Sequence, residues 1–201
     1  MTGKTHWENV YAAKTDAELS WTQSHPSVSL ALTRETTPPG SSVIDVGGGA
    51  SVLADRLLDA GYAVAVLDIA PAALARARER LGAKGDRVRW ITADVTAAPA
   101  LGTFDLWHDR AVFHFLTSPA DRSAYAALMA RTIAPRGHAV IATFAPDGPA
   151  KCSGLDVRRY DAHSLAVELG ERFEMIKSLP EMHLTPWGKP QSFQYSVFRL
   201  R

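Results

Sequence analysis

Apolar residues fall into two alternating periods along the chain. Ser42–Val46 (SVIDV) is a short β-branched run that enters three glycines at 47–49. Residues 51–60 (SVLADRLLDA) set Val52, Leu53, Leu57 and Leu58 at helical spacing, and Gly61 stops them. Residues 62–68 (YAVAVLD) predict a second strand. Pro71–Leu81 opens with a proline suited to a first helical turn and ends at Gly82. Residues 87–92, 103–108 and 138–144 read as three more strands. Between the last two, residues 119–133 predict a helix stopped by Pro135 and Gly137. Such alternation predicts a parallel sheet with helices on both faces. The last third differs. Residues 161–170 predict a helix with Asp161 as its N-cap. Residues 173–179 and 192–200 then predict two strands joined by a polar, proline-containing loop, which suits an antiparallel closing pair. Residues 1–40 predict one or two helices carrying Trp7, Tyr11 and Trp21, ending at Pro38, Pro39 and Gly40. The fold class expected is α/β, a doubly wound seven-stranded sheet, mostly parallel with one antiparallel C-terminal strand.

Length and composition narrow the function classes. A chain of 201 residues amounts to about one domain. It is long enough to bury a core without disulfides or structural metal. Twenty-two Lys and Arg against 21 Asp and Glu leave a net charge of +1. That balance argues against nucleic acid or an anionic membrane as the main partner, since either favours a basic face. The lone cysteine, Cys152, cannot form an intrachain disulfide, and no Cys/His cluster predicts a metal site. The opening MTGKTHWENVYAAK has no apolar signal core, and no window reaches the length of a membrane span. A single cytoplasmic domain over 1–201 is expected, monomeric or homodimeric, with neither nucleic acid nor membrane as partner.

The glycine loop carries the first chemical signal. Asp45, Val46, Gly47, Gly48, Gly49, Ala50 and Ser51 leave a strand and open a helix. Glycines there let the backbone approach a ligand closely, in the crevice of a doubly wound sheet. By itself the triplet is equally compatible with a tight turn and no ligand. Asp68 ends the second strand 23 residues after Asp45, where a ribose diol of a nucleotide would lie. Asp94 ends the third strand at the same edge. A dinucleotide dehydrogenase is the rival, but its third glycine would fall on Val52. An aspartate two residues before the first glycine also suits a cationic ligand better than a pyrophosphate.

Taken together, residues 43–51 (VIDVGGGAS), 65–68 (AVLD), 92–94 (TAD) and 104–110 (FDLWHDR) resemble, in order and spacing, the first four motifs of class I S-adenosylmethionine-dependent methyltransferases. Ser51 departs from the pattern where many members have another glycine. The resemblance implies a Rossmann-like methyltransferase fold with S-adenosyl-L-methionine as cofactor. It places Gly47, Gly48 and Gly49 under the methionine and ribose, Asp45 toward the aminoacyl end and Asp68 on the ribose hydroxyls. Ile69 would lie against adenine, and Asp94 would meet its amino group with Val95 alongside. Asp109 and Arg110 would lie near the sulfonium.

The acceptor side is expected from residues 104–116 (FDLWHDRAVFHFL). Trp107, His108, Asp109 and Arg110 crowd the tip of the fourth strand. Asp109, Arg110, His108 and His114 are the candidate catalytic residues; packing for the histidines and an Asp109–Arg110 ion pair remain as alternatives. Trp107-His108-Asp109-Arg110 followed by Ala111-Val112 resembles a segment of thiopurine-type methyltransferases, with His108 inserted; that likeness implies Arg110 near an anionic acceptor. Residues 6–11 (HWENVY) resemble the opening of several small methyltransferases, some acting on protein lysines and some on small molecules. This implies that residues 1–40 are a helical lid on a 41–201 core, with Trp21 shielding the sulfonium by cation–π contact and Trp7 and Tyr11 lining the substrate. Cys152, Arg159, Tyr160 and His183 are further candidate substrate contacts, from loops that usually supply them. For Cys152 a pocket-lining thiol is the alternative to a transient nucleophile, and for His183 a surface loop position is the alternative to a site role.

The reading that results is methyl transfer to a small, soft nucleophile such as a thiol, a sulfide or a related chalcogen compound. A protein lysine N-methyltransferase is the alternative, with Trp21, Trp107 and Trp187 available for an aromatic channel. A non-catalytic S-adenosylmethionine-binding protein is the second alternative.

Overall fold

The apolar runs pair side by side in one sheet. A computed structural model of the chain describes residues 3–201. In chain order it contains α1 (Gly3–Ala13), α2 (Ser27–Thr36), β1 (Ser42–Val46), α3 (Leu53–Asp59), β2 (Ala63–Asp68), α4 (Pro71–Leu81), β3 (Arg89–Thr92), β4 (Phe104–Arg110), α5 (Pro119–Thr132) and β5 (Ile133–Phe144). A two-stranded ribbon of β6 (Lys151–Cys152) and β7 (Leu155–Asp156) follows, then α6 (Ala162–Leu169), β8 (Phe173–Leu184) and β9 (Pro190–Leu200). The seven-stranded sheet runs β3-β2-β1-β4-β5-β9-β8. Only β9 is antiparallel to its neighbours, which gives the mostly parallel, doubly wound sheet expected. The strand order reverses between β1 and β4, and the crevice outside their carboxyl ends is where such sheets bind ligands.

Alternation along the strands divides the core into two layers. Val43, Val64, Val66, Leu106 and Val140 face α2, α3 and α4, through Leu30, Leu57 and Leu74. Ile44, Val46, Leu67, Trp107 and Ile141 face α5 and α6, through Tyr125, Leu128 and Leu165. Helix α1 lies outside these layers, against α4. Among the described residues no helix is long and apolar enough to cross a membrane.

Three boundaries differ from the sequence pattern. The first loop runs to Val52, so α3 begins only at Leu53. Strand β5 begins at Ile133, not His138, because Ile133 pairs with Phe104 across a register shift. The closing strands are longer than expected and pair from Phe173↔Leu200 to Leu184↔Pro190. Pro180 was expected in a loop, but β8 is the sheet edge, where a missing N–H costs no ladder bond. Asp161 caps α6 by accepting from Ser164 N at 2.7 Å.

The entry to β1 is fixed by a clip from β4. Asp105 Oδ2 accepts from Ser42 N and Ser42 Oγ, both at 2.8 Å. Asp105→Ala removes both acceptors from a half-buried strand start and is expected to destabilise the fold by about 1–3 kcal/mol. Urea unfolding will show this as a lower midpoint at unchanged slope; an unchanged midpoint refutes the clip.

Candidate functional site

Two glycines explain why the loop after β1 has the sequence it has. Gly47 (φ +65°) and Gly49 (φ +46°) sit in the left-handed region that favours glycine. A Cβ on Gly47 would collide with Val112, and one on Gly49 would lie 2.6 Å from the Tyr11 hydroxyl and 3.0 Å from Asp68 Oδ2. Ser51 has a local use that a glycine would lack, since its Oγ accepts from Leu53 N at 3.1 Å as α3 begins. The loop is also held from α4. Arg80 donates to the Ala50 and Ser51 carbonyls at 2.6 and 2.7 Å while its guanidinium pairs with Asp55.

In front of the loop lies a crevice of about 380 Å³. Gly47, Asp68, Ile69, Asp94 and Val95 line it from the strand ends, and Arg110 from β4. Trp7, Tyr11 and Trp21 line it from the N-terminal segment, and Cys152 from the ribbon. Trp7 packs edge-on to Trp21 at 5.7 Å and to Phe115 at 5.0 Å. Arg76 of α4 holds this segment by donating to the carbonyls of Tyr11 and Lys14.

Asp68 is the most polar feature of this wall. Its Oδ1 accepts from Ala70 N at 2.8 Å. Burial, aided by the nearby Asp45 carboxylate, raises its pKa to about 7. A buried carboxyl held by backbone N–H groups and lining the crevice keeps lone pairs for the two hydroxyls of a ribose. Ile69 and Val95 supply apolar surface for a base, and Asp94 an acceptor. These residues therefore fit S-adenosylmethionine, whose sulfonium would supply an activated methyl group. Asp45 faces a smaller recess of about 70 Å³ that shares Gly47, Trp21 and Arg110 with the crevice.

The expected acceptor residues divide. Arg110 and Cys152 reach the crevice. Asp109 does not: it is fully buried, and its carboxylate accepts from Val112 N at 2.8 Å, Phe113 N at 3.1 Å and Tyr125 Oη at 2.6 Å. It braces the turn after β4, and desolvation raises its pKa to about 6. His108 lines the recess and not the crevice, with Nδ1 2.7 Å from Asp45 Oδ1 and Nε2 2.9 Å from Ser29 Oγ. His114 is fully buried, its Nδ1 accepts from Phe144 N, and burial lowers its pKa to about 3. It is therefore a neutral packing residue and not a base facing the crevice.

Four further expectations concern the loops. Burial pushes the Cys152 thiol up to about 11, which suits a wall and not a nucleophile. Arg159 turns to the Gly148 carbonyl at 3.2 Å. Tyr160 is buried against Phe113 under the sheet, away from the crevice. His183 donates from Nε2 to the Ser20 carbonyl at 2.7 Å and ties the closing hairpin to the segment carrying Trp21. Sequence reasoning missed Ser29, Arg76, Arg80, Asp121, Tyr125 and Tyr195. Asp121, which lines the crevice from the first turn of α5, was findable from its place after Pro119; the others act across long sequence separations and carry no local signal.

Residues 43–137 match the protein family described as a methyltransferase domain. Nodulation protein S of Sinorhizobium fredii is 28% identical over 102 residues, which is 51% of this chain and 47% of that protein. The chain thus spans about half the length of the curated relatives it matches. Among solved structures, the N-methyltransferase NodS from Bradyrhizobium japonicum bound to S-adenosyl-L-homocysteine superposes with a TM-score of 0.74 at 18% identity, covering 99% of both chains. A structure concerned with the conversion of a disulfide bond into a thioacetal group during echinomycin biosynthesis superposes with a TM-score of 0.79 at 20% identity, covering 98% of this chain and 92% of that one.

The contrast between the buried carboxylates is testable. Asp109→Asn replaces a triply held acceptor and is expected to cost about 1–3 kcal/mol of stability while leaving S-adenosylhomocysteine affinity unchanged; a catalytic role would give a stable, inactive variant instead. Asp68→Ala is expected to weaken that ligand by about 1.5–3 kcal/mol in calorimetry. The pH dependence has a definite sign. A carboxyl with a pKa near 7 is mostly protonated at pH 6, and accepting ribose hydroxyls favours its ionised form. Affinity should therefore rise roughly tenfold from pH 6 to pH 8, and Asp68→Asn should flatten the profile. A profile that is equally steep in Asp68→Asn refutes the assignment.

Proposed function

We propose that this chain is a class I S-adenosylmethionine-dependent methyltransferase with S-adenosylmethionine as its cofactor, a reading that the matches to a methyltransferase domain and to NodS support, and that it methylates a small, soft nucleophile: a thiol, a sulfide or a related chalcogen compound. The observation that carries this reading is the chemistry beside the methyl position. Arg110 reaches the crevice, whereas His108, Asp109 and His114 are engaged behind its walls. An alcohol acceptor would need a base there. A thiol ionises within about two pH units of neutrality, and a sulfide has no proton to lose.

Arg110 suits an anionic acceptor. Its Nε donates to Tyr195 Oη and its Nη1 to the Trp21 carbonyl, both at 3.0 Å. Its Nη2 is buried without a hydrogen-bond partner, 3.6 Å from Glu181 Oε2. The guanidinium also lies over the Phe193 ring at 4.3 Å. Although Nη2 faces the Glu181 carboxylate, the guanidinium lines the crevice and places a cation there, which favours a thiolate over a thiol. Trp7, Trp21 and Phe115 exclude water, so alignment in a dry cleft supplies much of the rate. A volume of about 380 Å³ sits near the lower end of ligand sites, roughly 300–1,000 Å³, and must also hold the cofactor. The acceptor is accordingly small.

The thiopurine-type likeness of residues 107–112 and the likeness to a structure concerned with disulfide conversion support sulfur chemistry. Likeness to an N-methyltransferase favours a second reading, methylation of a small amine. A protein lysine acceptor is disfavoured by the aromatic residues packed across the crevice mouth.

A panel assay of S-adenosylhomocysteine release separates these. Thiols and chalcogen compounds are expected to turn over, and release with amines alone would overturn the sulfur reading in favour of the second. Release with no acceptor of any class would leave a binding protein. Arg110→Met should lower thiol turnover tenfold or more, with the deficit shrinking as pH rises and bulk thiol ionises unaided. A folded Arg110→Met enzyme with unchanged rates refutes the role of the guanidinium.

A further inference from the structure

Behind the crevice a single file of buried polar groups crosses from Arg110 to Asp45. Arg110 Nε donates to Tyr195 Oη at 3.0 Å. Tyr195 Oη lies 3.3 Å from Ser29 Oγ. Ser29 Oγ lies 2.9 Å from His108 Nε2, and His108 Nδ1 lies 2.7 Å from Asp45 Oδ1. Ser29, Asp45, His108 and Tyr195 are each at most 2% exposed. Four of the five groups, all but Tyr195, line the recess next to the crevice. They come from α2, β1, β4 and β9, so the file joins elements far apart in sequence.

The ends of the file fix its direction. A guanidinium only donates, and an ionised carboxylate only accepts. Tyr195 therefore accepts from Arg110 and donates to Ser29, and Ser29 donates to His108 Nε2. His108 then carries its proton on Nδ1 and gives it to Asp45. With the reverse orientation at Ser29, His108 would hold protons on both nitrogens, and the Tyr195 hydroxyl proton would lack an acceptor within the file. A stranded buried donor costs more than a typical net hydrogen bond returns.

We infer that Tyr195 and Ser29 are positioning residues that hold the acceptor-side Arg110 and the cofactor-side Asp45 in one frame, with His108 fixed as the Nδ1–H tautomer between them. The inference rests on the reading of Asp45 as facing the aminoacyl end of the cofactor. Tyr195 acts through its neighbours, since it touches neither the recess nor the crevice. His108, expected from the sequence to be a base, is instead a link whose two nitrogens are both in use. Nothing in the file passes a proton to the acceptor; its role is to keep the carboxylate of Asp45 aimed and the guanidinium of Arg110 fixed where it lines both the recess and the crevice.

The test combines a spectroscopic and a thermodynamic readout on the full chain. In nitrogen-labelled protein, His108 Nδ1 should carry the proton and Nε2 should resonate as an unprotonated nitrogen. Tyr195→Phe and Ser29→Ala should each weaken S-adenosylhomocysteine threefold to tenfold by calorimetry. In an Asp45→Asn background Tyr195→Phe should add little, because the link it breaks no longer ends on a carboxylate. A proton on His108 Nε2 overturns the inference. So do folded Tyr195→Phe and Ser29→Ala variants with wild-type affinity, or effects fully additive with Asp45→Asn. Failure of the wild-type protein to bind S-adenosylhomocysteine at all would be a separate result, overturning the cofactor reading beneath.

Discussion

Three carboxylates are buried at the ends of neighbouring parallel strands, and the site is organised by how each is satisfied. Asp45, Asp68 and Asp109 end or nearly end β1, β2 and β4, and all are at most 6% exposed. A buried carboxylate without donors is expensive. Asp109 receives three protein donors and becomes a brace. Asp45 receives His108 and stays beside the recess. Asp68 has backbone partners alone, and burial, with the nearby Asp45 carboxylate, raises its pKa to about 7. Of the three it is the carboxyl group that lines the crevice, where the hydroxyls of a ribose would meet it.

The glycine loop can approach a ligand closely because other parts of the chain hold it there. The left-handed turns at Gly47 and Gly49 bring the backbone against Val112, Tyr11 and Asp68. Arg80 pins the loop from the same helix that carries Arg76, which in turn holds α1. One helix face thus positions both the floor and the cover of the crevice. The cover is held by aromatic edges, by bonds from Arg76, Arg110 and His183 to its carbonyls, and by burial of Tyr11 and Leu19 with Ala70 and Ala73.

The parts of this arrangement that could be read from sequence are those set by local chemistry. The glycine triplet, the acids at the strand ends and the two periods of the apolar pattern each act within a few residues. The tip of β4 was harder. Residues 107–110 are contiguous in sequence, and all were expected to face the crevice, but strand alternation sends them to opposite sides. Leu106, His108 and Arg110 share the α2 side, whereas Trp107 and Asp109 turn toward Tyr125 of α5. The period-two rule, applied to those four residues, would have separated Asp109 from Arg110. No comparable rule reaches Ser29 or Tyr195, whose roles depend on contacts between residues 79 to 166 positions apart. The length of the closing hairpin was concealed for another reason: Pro180 marks a loop in most contexts, and only its place on the sheet edge makes it harmless.

Arg110 is where these constraints meet. Its Nε and Nη1 are committed to Tyr195 and Trp21, and its ring contact with Phe193 fixes the plane of the guanidinium. A lysine could not hold this geometry, because an ammonium lacks the rigid fork that makes two structural bonds while a third group faces the Glu181 carboxylate. The same commitments mean that Arg110 cannot turn to follow a mobile substrate; the acceptor must come to it. A site built this way selects by position and charge, not by proton transfer. The histidines nearby fit that design, since one faces a carboxylate and a hydroxyl and the other a backbone N–H. The proposed methyl transfer to a soft anion would ask the protein for alignment and one fixed cation, and the commitments of Arg110 would meet that demand.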